Sequence, residues 1–198
     1  MKLSKILGVA AFAALALMAF ASTASAASTT LETNGVTVST SITLHATLVG
    51  SATLESTSGV FSNTCSESTV HGTTTSIHGP VINVVSTPQP SGLSFSNCTH
   101  SPVVTNSPGS ISIERIGTTT NGTVRSSGAN VTVPVTIFGS VVSTTCTTSE
   151  TDIGTLTGTA ASPTHIDISA ILSCGGVLPS ARWTATYRIT GHSIGAVA

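Results

Sequence analysis

Between Val36 and Ile189 the chain repeatedly sets a Val, Ile or Leu beside a Thr or Ser, in short runs that stop at Gly, Pro or Asn. No other feature limits its fold as strongly. Neighbouring residues of a strand point to opposite faces, so this alternation makes one apolar face and one hydroxyl-bearing face. Val, Ile and Thr branch at Cβ, are stiff at χ1 and suit a pleated surface better than a helix. The strong helix formers Lys, Glu, Gln, Arg and Met are scarce beyond residue 26. The pattern predicts strands over Val36–Ser39, Ile42–Leu48, Ser51–Glu55, Thr69–Ile77, Val81–Val85 and Leu93–Phe95. It continues over Ile111–Ile116, Val131–Phe138, Ser140–Thr145, Ile166–Leu172 and Trp183–Ile189. Many short strands with turn residues between them predict an all-β domain, an antiparallel β-sandwich or flattened barrel.

Turn chemistry refines that expectation. Asn34-Gly35 and Asn121-Gly122 are dipeptides that tight hairpins favour, because both central residues need positive φ. Pro134 falls inside a strand run, and a residue that cannot donate to a ladder belongs at an edge or a bulge.

The first residues read differently. Lys2 and Lys5 precede an apolar run from Ile6 to Phe20, and Ala24-Ser25-Ala26 offers a small-residue cleavage site. This is the pattern of a secretory signal over residues 1–26, leaving a single secreted β-domain over 27–198. The run is about fifteen residues, short of the roughly 20 that span a bilayer as a helix, so no transmembrane segment is expected in the mature chain. A secreted or periplasmic location follows. Residues 27–198 carry four arginines against seven carboxylates, a net charge of −3, and no lysine. A chain of that charge has no basic footprint, so nucleic acid and anionic membrane are not its partners. An outer-membrane barrel is disfavoured because aromatic girdles need more than the few aromatic side chains present.

Cys65, Cys98, Cys146 and Cys174 make an even count, and in an exported chain they read as two disulfides. No closely spaced cysteine pair is present to make a zinc site, and neither metal nor cofactor is expected. Cys65, Ser66-Glu67, Gly72-Thr73 and Cys98 are echoed by Cys146, Ser149-Glu150, Gly154-Thr155 and Cys174, as though the domain had two related halves. If it has, the bridges run Cys65–Cys98 and Cys146–Cys174; three pairings are open in all.

Residues able to carry chemistry are few. Gly191-His192-Ser193-Ile194-Gly195 matches G-x-S-x-G, but a nucleophile elbow takes its acid and histidine from later in the chain, where only Ala196 to Ala198 follow. His165 and Asp167 share one strand face, the spacing of a base with its orienting carboxylate, or of a surface pair. His71 and His78 have the wrong parity for one face, and His45, His100 and His192 stand apart; two histidines brought together by folding would make a metal site. Glu114, Arg115 and Arg188 are placed to carry complementary charge on paired strands. Trp183 and Tyr187 lie four apart and share a face, as a ligand-contacting aromatic pair or as a core anchor.

Gly92 to Thr99, Asp152 to Gly158, Ile168 to Ala170, Cys174-Gly175, and Trp183 with Tyr187 together resemble a family of small exported bacterial proteins. Some members carry the label "activator protein", after an extracellular protein said to promote alkane oxidation. The resemblance implies export, this fold and a role in the use of insoluble hydrocarbon; it nominates no catalytic residue. The expected function is therefore a secreted, non-catalytic β-domain that binds an extracellular ligand or surface. Its alternatives are an accessory protein aiding hydrocarbon utilisation and a hydrolase with an unrecognised site.

Overall fold

The computed structural model describes residues 28–33, 35–86, 92–100, 102–137, 139–159, 162–190 and 194–197. The signal-like segment 1–26, Asn34 of the Asn34-Gly35 pair, Phe138 and the Gly191-His192-Ser193 part of the G-x-S-x-G match lie outside them. Among the described residues every regular element is a strand. In chain order they are β1 (Thr29–Thr33), β2 (Val36–Thr37), β3 (Thr43–Ser56), β4 (Ser62–Thr74), β5 (His78–Gly79) and β6 (Ile82–Ser86), then β7 (Leu93–Cys98), β8 (Val104–Ser107), β9 (Ser110–Arg115), β10 (Gly122–Ser127) and β11 (Asn130–Ile137). The remainder are β12 (Ser140–Thr147), β13 (Thr151–Thr159), β14 (Ser162–Cys174), β15 (Ser180–Thr190) and β16 (Ile194–Val197).

Eight of these close an antiparallel barrel in the order β3-β4-β6-β9-β10-β13-β14-β15, with β15 returning to β3. Inward positions follow the alternation. On β15 they are Ala181, Trp183, Ala185, Tyr187 and Ile189; on β14 they include Ile166, Ile168, Ala170 and Leu172. The outward positions of β14 and β15 include Asp167, Ser169, Arg182, Arg188 and Thr190. An apolar inside and a hydroxylic, charged outside is the reverse of a lipid-facing barrel. No helix among the described residues is long and apolar enough to cross a membrane.

The long strands β4 and β14 each fork. Gly72–Thr74 of β4 pairs with β6, while Cys65–Val70 on the same edge pairs with β7. Ser162–Ile168 of β14 pairs with β13, and Ser173-Cys174 with β12, which leads on to β11 and β8. The four strands β4-β3-β15-β14 thus form one continuous wall, faced by two successive pieces, β6-β9-β10-β13 and then β7 with β8-β11-β12. A small sheet of β16, β1, β2 and β5 covers the end where β3, β6 and β10 begin. Thr29 Oγ1 accepts from the Arg115 amide and donates to the Pro80 carbonyl there, and Leu31 is fully buried.

The bridges join Cys65 to Cys98 and Cys146 to Cys174, each between directly opposed residues, so each staples a fork arm to the wall. Bonds of this kind form and persist in oxidising compartments such as the periplasm or the cell exterior. The pairing lies within halves, and the two halves place their cysteines on different kinds of strand. In the first, the long strand carries the earlier cysteine; in the second, it carries the later one.

Several local expectations change. Ile42–Leu48 and Ser51–Glu55 are one strand, β3, whose ladder slips across Leu48–Ser51, where the register jumps from Thr47↔Thr69 to Ala52↔Cys65. Asn121-Gly122 is not the centre of a turn. The chain reverses over Ile116–Asn121, and Gly122 begins β10 because a Cβ there would stand 2.6 Å from Ile113 Cγ2. Gly35 does occupy a tight hairpin, between Thr33 and its partner Val36, at φ 76°. Pro134 is at an edge: β8 covers only Asn130–Thr132 of β11, and Pro134 faces Ser143 of β12 alone. Glu114 pairs with Arg125 of β10 at 3.8 Å, not with Arg188, which stands opposite His165 and Thr47.

Candidate functional site: an apolar cavity inside the barrel

The wall and its two facing pieces do not meet everywhere. Between them lies a cavity of about 110 Å³, near in size to the ~150 Å³ engineered apolar cavity that takes up benzene. Ala46 and Ala52 of β3 leave room on the wall side where a larger residue would fill it, and Leu93, Phe95 and Val131 close the far side. Trp183 opens onto it from the middle of the wall. That residue has Leu54 and Ala170 paired on either side and faces inward, yet is only half-buried, because the facing layer is incomplete there. Its ring meets Phe95 edge-on at 6.4 Å, and Phe95, Val103 and Pro108 of the lining are likewise only partly covered.

Tyr187 sits deeper, 1% exposed, with its ring edge-on to Trp183 at 6.4 Å. The Ser68 hydroxyl donates its one proton to the Ser94 carbonyl at 2.7 Å, so across the 2.8 Å contact with Tyr187 it must act as acceptor. The phenol O–H therefore donates to Ser68, and the chain of donors ends on a backbone oxygen of β7. Burial pushes the Tyr187 phenol up to about 12.

Three polar side chains of the lining are engaged elsewhere. Ser126 Oγ and Thr148 Oγ1 bond each other at 3.0 Å, and Asn63 Oδ1 accepts from Thr99 and from the His100 amide. Among the described residues Tyr187 is the one titratable side chain in the lining, the cysteines there being bridged. A site built this way offers dispersion contact and desolvation, and no charge to hold an ionic head group.

The aromatic pair at Trp183 and Tyr187 is thus both core and cavity wall: Tyr187 is fully buried, and Trp183 is partly covered. His165 and Asp167 lie on the outer face of β14, away from the cavity, and Asp167 accepts from Thr186 Oγ1 at 2.8 Å. His78 Nδ1 is 3.3 Å from Thr30 Oγ1 at the end sheet, and His100 lies beside Phe61 with ring centroids 6.3 Å apart. His45, which stands apart in the sequence, does not stand apart in the fold, because β3 sets it directly opposite His71 of β4. Among the described residues, no group of three or more His, Cys, Asp or Glu side chains converges. Comparison of the chain with protein-family models, with curated proteins and with solved structures returns no match.

Proposed function

We propose that this protein is an exported binding protein that takes a small, uncharged apolar molecule, or the alkyl part of a larger one, into its barrel. The observation that carries this reading is the half-covered Trp183 facing a cavity whose lining is almost wholly apolar. A closed core would bury that indole; a hydrolytic site would aim titratable groups at the cavity. The lining instead rewards a ligand that brings no polar atoms, since any it brought would lose water without gaining a partner.

The accessory reading, in which the protein helps cells use hydrocarbon, draws support from the same cavity, because an alkyl chain suits its lining. Carriage of single molecules fits better than emulsification. Emulsification would need a contiguous exposed apolar patch on the outer surface, whereas the cavity offers its apolar surface inside the barrel.

Trp183 is the chain's one tryptophan, so its fluorescence reports this site directly. Titration with the uncharged fluorophore N-phenyl-1-naphthylamine, whose phenyl ring alone is of the size the cavity takes, should quench Trp183 saturably with one site per chain, and a medium-chain alkane should displace the probe. Quenching that never saturates, or a probe displaced as well by a short-chain carboxylate as by the alkane, would contradict the reading.

A further inference from the structure

On the outer face of the wall, His45 of β3 and His71 of β4 are cross-strand partners, and their rings lie 4.4 Å apart, centroid to centroid, edge to face. The ladder around them fixes what kind of pair this is. The Thr74 amide donates to the Ile42 carbonyl at 3.0 Å, while the Ile42 amide turns back on Thr74 Oγ1 at 2.9 Å. Ile42 and Thr74 are therefore a hydrogen-bonded pair, and since the two kinds alternate along an antiparallel ladder, His45 and His71 are a non-hydrogen-bonded one. Two contacts agree. The His71 amide points away from β3, to the Gly92 carbonyl at 2.8 Å, and the His45 carbonyl points toward β15, where it accepts from Thr190 Oγ1 at 3.3 Å. Non-hydrogen-bonded partners have the closest side chains in a sheet, with Cα atoms about 4.5 Å apart.

We infer that His45 and His71 form a two-imidazole chelate for a first-row transition cation such as Zn2+. A tetrahedral zinc with bonds of about 2.0–2.1 Å holds two ring nitrogens roughly 3.3 Å apart. Rings with centroids 4.4 Å apart reach that separation by side-chain rotation alone, with the backbone held by the ladders on both sides of β3. His45 is exposed and His71 half-exposed, so the cation can enter and water can complete its coordination. Thr43, Thr47, Thr69, Thr73 and Thr190 surround the pair and supply no carboxylate, which makes imidazole, a nitrogen ligand suited to zinc, copper and nickel, the whole of the recognition. The site is on the opposite face of the wall from the cavity and does not depend on it.

The test is calorimetric titration of the untagged protein with Zn2+ at neutral pH, for the natural chain, His45→Thr, His71→Thr, the double variant and His165→Ala. Thr matches the neighbouring residues and keeps the strands β-branched. Chelation requires that either single substitution weaken binding at least tenfold, that the double variant lose little more than a single one, and that His165→Ala change nothing. If each single substitution only lowers the stoichiometry while the affinity stays the same, the rings bind independently and the chelate is wrong. No zinc binding by the natural chain, or natural affinity in the double variant, overturns it equally.

Discussion

The cavity can be tested by filling it. Ala46 lines it from β3, is buried, and lies between Val70 of β4 and Ile189 of β15. Ala46→Ile places a sec-butyl group where there is now a methyl. In a closely packed core such overfilling costs about 1–3 kcal/mol. Against an empty apolar space of about 110 Å³ the added carbons have somewhere to go. At ~0.8 kcal/mol per buried methylene the gain is roughly 2 kcal/mol, from which ~0.5–1 kcal/mol of isoleucine rotamer entropy is lost. A net stabilisation of about 1–1.5 kcal/mol follows, to which the better strand propensity of isoleucine adds. For a domain of this size that raises Tm by about 2–6 °C, and the urea midpoint should rise with an unchanged slope. The same variant should bind N-phenyl-1-naphthylamine at least tenfold more weakly. A lower Tm, or full probe binding in a stabilised variant, would refute the cavity as a ligand site.

Three further outcomes are expected. Tyr187 is the chain's one tyrosine, so its phenolate absorbance is unambiguous; its folded value is raised above the unfolded one, so its contribution is whole below pH 10 and is lost as pH rises toward 12, on the order of 2–3 kcal/mol at ~1.4 kcal/mol per unit. Alkaline unfolding curves should show that loss, and Tyr187→Phe should abolish it; an alkaline limb unchanged in Tyr187→Phe would be decisive against it. Gly154 closes the barrel on β14 at φ 155°, and a Cβ there would stand 1.9 Å from the Asp167 carbonyl oxygen; Gly154→Ala should therefore cost about 4 kcal/mol, at the exceptional end for one substitution, read from thermal melts. Replacing Cys65 and Cys98 together by Ser opens a 33-residue loop and should lower stability by about 4 kcal/mol on the chain-entropy account, while Glu-specific digestion without reductant should recover Cys65 joined to Cys98 and Cys146 joined to Cys174.

Alternation made the long wall strands legible, and it failed where the ladder shifts. On β13 the inward residues are Ile153, Leu156 and Gly158, because the β10 ladder slips between Val124 and Arg125, so no strict period of two survives in the sequence. On β4 the inward set includes Asn63, Ser68 and Thr74, polar residues that read as outward until their hydrogen bonds are seen. Pro134 announced its edge because a missing donor is a local fact. The cavity could not be announced in this way: it depends on which faces meet across the interior and on how far the second layer reaches. The His45–His71 pair is likewise a matter of register, invisible until β3 is laid beside β4.

The place of β15 bears on how the molecule assembles. It lies between β3 and β14, so one of the earliest long strands finds its partner only in one of the last, with Thr190 bonding to His45 across 145 residues of chain. Until β15 arrives, β3 and β14 each present an open edge capable of pairing with another molecule. Closing a loop of that length before any contact rewards it slows folding. A chain with this strand order cannot shut prematurely around anything, and it stays threadable until its final strands have been delivered.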